Sequence, residues 1–257
     1  MSLDDELTAT DDLWRPRRWR RSPVAHPVRG GLEAAGALTL AYSYLVNRVV
    51  PEVLYVPANL AAAAGFVGLA RSSGATWTDL GVRGERVGRG IRVGLAAAVP
   101  IAAVVALGIA IPETRRYFAD QRTAVGGGTA VFDALVRIPI GTAVCEEVIF
   151  RGAILGMLLR RRTPLEATTI SAILFGLWHV FPTLDTLHLN PVGSYVEGDW
   201  VRTTGAVVAA GLVTAAAGCG FAWLRLRANS VVAPMIAHGV LNVLAFLGGR
   251  AVLTTIR

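Results

Sequence analysis

Glu146 and Glu147 stand side by side in an apolar stretch, and Arg151 follows four residues after the second of them. Near the centre of a bilayer each such charge costs roughly 3 kcal/mol or more if it faces lipid, so these residue types inside a hydrophobic run imply a task. On a helix Glu147 and Arg151 share a face with the acid N-terminal, the favourable order for an ion pair, while Glu146 is turned away by about 100°. Glu147 is therefore expected to be a structural partner of Arg151. Glu146, beside a like charge and partly desolvated, has the surroundings of a general base. The bland alternative is a buried ion pair that only fixes helix packing, and it leaves Glu146 without a partner.

Two later apolar stretches repeat a four-residue spacing, Phe175 with His179 and His238 with Asn242. A lone histidine on an apolar helix is usually a satisfied core residue. Depth argues otherwise here. Counted from the nearest arginine-rich link, Glu147, His179, His238 and Asn242 fall roughly 20, 26, 17 and 22 Å into the membrane. Three helices thus bring polar groups to a similar level. Glu146 with His179 suits the activation of water, and His238 with Asn242 suits hydrogen bonding to a developing oxyanion. A thiol mechanism through Cys145 is disfavoured, because adjacent residues diverge on a helix and nothing nearby activates the thiol. His26 and His188 read as surface residues, and Asp133 with Arg137 as an interfacial pair.

The elements that must position these groups are membrane helices. The chain has 257 residues, 53% of them hydrophobic and 17% charged, with a mean hydropathy of +0.51. Those values lie on the membrane side of soluble averages. Segments suitable for spanning occur at roughly 31–48, 53–70, 92–112, 129–159, 165–181, 205–224 and 230–248. The expected fold is an all-α polytopic bundle of about seven to eight membrane helices.

All 25 basic residues are arginines, and the net charge is +7. They lie between apolar segments rather than along one face, so they report topology and not a nucleic-acid partner. Residues 1–29 read as a cytosolic tail that turns from acidic to basic, with Trp14 and Trp19 among its arginines; an apolar signal core is not found at its start. From a cytosolic N-terminus, the links 71–92, 160–162 and 225–227 fall on the inner side, as the positive-inside bias requires, whereas Arg115, Arg116 and Arg122 fall outside. The composition suggests a prokaryotic host and its plasma membrane. The Gly/Ala-rich segment 205–224 implies close helix packing, and 77–91 an interfacial amphipathic stretch. Cys145 and Cys219 are expected to stay free.

The ordered set Glu146-Glu147-Arg151, Phe175-His179 and His238-Asn242 resembles the E-E-x-x-x-R, F-x-x-x-H and H-x-x-x-N motifs of the CPBP family of intramembrane proteases. That family includes the type II CAAX prenyl endopeptidases and the Abi-type proteins. The resemblance covers roughly residues 130–248. It implies that Glu146 and His179 activate water and that His238 and Asn242 hold the oxyanion. It also marks off helices at 30–128, a catalytic core at 129–248 and a tail at 249–257. Zinc is the metal that a ligand set of Glu146, His179 and His238 would suit, although no H-E-x-x-H signature is present. The expected substrate is a membrane-associated peptide or protein tail. A non-catalytic scaffold or bacteriocin-immunity-type binding protein is the rival, and it has no need of an oxyanion donor.

Overall fold

The computed structural model describes residues 30–196 and 198–256, and these contain helices and no strand. The expected N-terminal tail, with Trp14, Trp19 and His26, lies outside the described residues. Seven main helices follow the seven apolar segments: α1 Gly31–Arg48, α2 Tyr55–Ser72, α3 Val87–Ala110, α4 at 127–159, α5 Pro164–Trp178, α6 Trp200–Ala228 and α7 Val232–Ile256. Among the described residues, five helices are long and apolar enough to cross a membrane, built on α2, α3, α5, α6 and α7.

Local sequence sets the ends of these helices. Thr163 and Glu166 form a capping box with Pro164 in the first turn of α5, which satisfies two orphan backbone donors. The Asp199 side chain accepts from the N–H groups of Val201 and Arg202 at the start of α6, and Asn229 ends that helix in a left-handed conformation. Small residues allow the closest crossings. A Cβ on Gly94 of α3 would stand 2.9 Å from the Ala233 carbonyl oxygen of α7, and one on Gly176 of α5 would stand 2.5 Å from that of Gly211 on α6. The glycines of 205–224 therefore include one of the contact points expected of them.

α4 departs from regular α-helix. Asp133–Val144 and Val148–Ile154 are π-helical, and the three residues Cys145–Glu147 between them are α-helical. Side chains follow the widened turn: the Cys145 thiol donates to the Ile140 carbonyl five residues back, at 3.1 Å. Pro139, inside the first π stretch, brings no N–H to the ladder. The second half of α4 is the centre of the molecule, since every residue from Ile149 to Leu159 is buried. Leu95, Val99 and Val104 on α3 and Leu212 and Val213 on α6 are exposed instead, as lipid-facing side chains are.

The arginine-rich links meet at one end of the bundle. Arg160 pairs with Asp79 at 3.0 Å, Arg225 donates to the Asp79 carbonyl at 2.9 Å, and Arg89 donates to the Arg227 carbonyl at 2.8 Å. Of the amphipathic stretch 77–91, Leu80 is buried while Trp77, Val82 and Val87 are exposed. The opposite end also holds arginines, among them Arg48 on Asp185 at 2.6 Å and Arg137 on Glu52 at 2.5 Å. Arg250 donates there to the carbonyls of Thr123 and Val125.

Candidate active site

The short α-helical step inside α4 carries both carboxylates inward. Glu147 and Arg151 have no exposed surface, and Glu146 and His238 are 7% and 4% exposed. Arg151 Nη1 donates to Glu147 Oε1 at 3.1 Å. The same oxygen faces His238 Nδ1 at 2.9 Å. Because a carboxylate oxygen can only accept, Nδ1 carries the proton and His238 directs Nε2 elsewhere. That nitrogen faces Glu146 Oε2 across 3.9 Å. Such a gap is too wide for a direct hydrogen bond.

Burial costs a polar group its water, so the unpartnered atoms here are informative. Glu146 Oε2, Glu147 Oε2 and Arg151 Nε and Nη2 have no hydrogen-bond partner among the described residues. The Arg151 guanidinium is instead enclosed by aromatic faces, 4.2 Å from the Phe175 ring centre, 5.3 Å from Phe221 and 5.7 Å from Phe150. Cation–π attraction is strongest where the cation is desolvated. Gly218 on α6 leaves room for the group, because a Cβ there would stand 3.0 Å from Nη2.

Phe175 is shared by both imidazoles, with ring centres 4.6 Å from His179 and 5.9 Å from His238. Phe221 stacks on His238 at 4.8 Å with the planes 18° apart. His179 caps the C-terminus of α5, and its Nδ1 lies 2.7 Å from the Phe175 carbonyl oxygen. A carbonyl also accepts only, so Nδ1 is again the protonated nitrogen and Nε2 of a neutral His179 is a free acceptor. Asn242, half-buried, follows His238 on α7.

The structure therefore gathers Glu146, Glu147, Arg151, His238 and Phe175, with His179 beyond the Phe175 ring. It changes the partners expected from spacing. His238, and not His179, faces both carboxylates, and no hydrogen bond links Asn242 to the cluster among the described residues. The three-ligand zinc set is not assembled: no group of three His, Cys, Asp or Glu side chains among the described residues is placed to hold a metal ion. Glu146 and His238 stand close, with Oε2 and Nε2 3.9 Å apart, but no hydrogen bond or ion pair joins His179 to either among the described residues. Trp178 was not singled out from the sequence. Its indole N–H donates to Glu146 Oε1 at 3.1 Å, and its adjacency to His179 was the available signal.

Residues 129–244 match the family described as type II CAAX prenyl endopeptidase Rce1-like. This part of the chain is therefore similar to a CAAX-protease domain of the Rce1-like type. No curated protein and no solved structure matches the chain. The matched region begins in the α-helical first turns of α4, four residues before the π-helical stretch, and ends on α7 two residues beyond Asn242. All the carboxylates, histidines and the arginine of the cluster fall inside it. A CAAX-type protease embedded in a lipid bilayer and acting on peptides is the general reading of this domain.

Proposed function

We propose that the Rce1-like domain is the catalytic core of an intramembrane endopeptidase in which Glu146 is the general base. One observation carries the reading: a buried carboxylate oxygen, Glu146 Oε2, lies without a partner 3.9 Å from the Nε2 of a histidine whose other nitrogen is committed to Glu147. A water in that gap gives one proton to Glu146 as its oxygen attacks the scissile carbonyl carbon. The tetrahedral oxyanion forms near α7, where the Asn242 amide serves as donor. Collapse breaks the C–N bond, and Glu146 returns its proton to the leaving nitrogen. His238 Nε2, across the 3.9 Å gap, accepts the hydrogen bond of that water's second proton, and His179 supports the site through its contact with the Phe175 ring.

No step runs through zinc, because the three candidate donors are not gathered as one set among the described residues. The substrate is a membrane-associated peptide or protein tail that enters a prokaryotic plasma membrane protein. The arginine-rich links at 71–92, 160–162 and 225–227 face the cytosol with the N-terminus. The test is Glu146→Gln, which keeps size but cannot act as a base. In purified protein reconstituted into bilayers, turnover of a membrane peptide falls about 10²- to 10⁴-fold while thermal unfolding is retained. Wild-type turnover by the folded variant overturns the reading.

A further inference from the structure

We infer that Trp178 is a positioning residue for Glu146, and that helix α1, outside the Rce1-like domain, holds it in place. The inference rests on the assignment of Glu146 as base. A glutamate has three rotatable side-chain bonds, and a base that samples several rotamers presents its oxygen to the reacting water only part of the time. The indole N–H is a donor and nothing else. By occupying Glu146 Oε1 at 3.1 Å, it leaves Oε2 as the oxygen that faces His238.

Trp178 is itself fixed on three sides and is 3% exposed. Its ring packs edge-to-face on Phe150, with centres 5.6 Å apart and planes at 81°. The ring of Tyr42 on α1 lies 6.0 Å away. Trp178 is also the last residue of α5, where backbone carbonyls lack helical partners. Its carbonyl accepts from the Ser43 hydroxyl of α1 at 2.7 Å, and this bond is buried. Ser43 and Tyr42 precede residue 129, where the matched domain begins. A helix outside the matched domain thus completes the site through a side chain and a backbone anchor.

The sharpest test replaces Trp178 by benzothienylalanine, in which sulfur takes the place of the indole N–H at almost unchanged shape, alongside Trp178→Phe. The expected result in both is a kcat lower by about 10- to 100-fold, the cost of misplacing a reacting group by about 1 Å. KM and the unfolding temperature of the benzothienylalanine protein stay as in the wild type, a split that loss of packing would not produce. Wild-type kcat with benzothienylalanine at 178 overturns the inference. Glu146→Gln measured in the same assay separates the two claims. An inactive Glu146→Gln beside a fully active benzothienylalanine protein removes only the role of Trp178, whereas an active Glu146→Gln removes the base itself.

Discussion

Two arginines in this protein, Arg151 and Arg225, expose no surface at all and each keeps two nitrogens without a partner among the described residues, yet the groups around them differ. At the end of the bundle, Arg225 is held by the backbone carbonyls of Asp79 and Thr78 at 2.9 and 3.5 Å. One oxygen of the neighbouring carboxylate is fully engaged: Asp79 Oδ2 accepts from the Thr76 N–H, the Thr76 hydroxyl and Arg160 at 2.7, 2.8 and 3.0 Å. In the interior, Arg151 makes one hydrogen bond to Glu147 and is otherwise wrapped in aromatic rings. There each of the two glutamates keeps an oxygen without a partner. A cluster that serves only to join links uses up its acceptors; one that does chemistry leaves them open where a reactant must arrive.

Removing each cation should separate these two surroundings. Arg151→Ala strips the buried Glu147 of its counter-charge and is expected to cost about 3 to 5 kcal/mol of stability. Thermal unfolding in detergent, read beside Glu146→Gln, checks this, and equal unfolding temperatures for the two variants contradict it. Activity should fall with it, because Glu147 Oε1 also holds His238 Nδ1. Arg225→Ala leaves neutral carbonyls behind and spares the contact of Asp79 with Arg160, so the expected loss is smaller, about 1 to 3 kcal/mol. Turnover per folded molecule should be unchanged, which a peptide assay normalised to folded protein can measure.

The smallest expected effect is that of metal removal. Metal-free protein prepared with a chelator should keep its turnover, since no three His, Cys, Asp or Glu side chains among the described residues are placed to hold a metal ion. Stoichiometric zinc in fully active protein, lost together with activity on chelation and regained with it, would falsify that expectation.

Much of this architecture could be read from residue order. Long apolar runs punctuated by arginines predict the helices α1 to α7, because length and hydropathy alone decide what can span a bilayer. The spacing of Glu147 and Arg151 predicts their contact, because neighbours at i and i+4 meet on any helix. The π-helical character of α4 was not visible, since hydrogen-bond register is chosen by packing and Pro139 is compatible with several outcomes. Trp178 was hidden for a related reason. An indole in an apolar run reads as core, and only the approach of α4 to the end of α5 makes its N–H a donor to Glu146.

Chemical identity and helical spacing are local properties, so the chain itself settled which polar groups lie in apolar segments and beside which neighbours along a helix. Tertiary structure decided the pairings between helices. It set His238 rather than His179 against the two glutamates and turned His179 back onto the Phe175 carbonyl, so that the three candidate zinc ligands do not form one set. It also brought Ser43 of α1 onto Trp178, 135 residues away. Those outcomes depend on the rotation and crossing of packed helices, which small residues such as Gly176 and Gly218 permit and which no spacing along a single helix specifies.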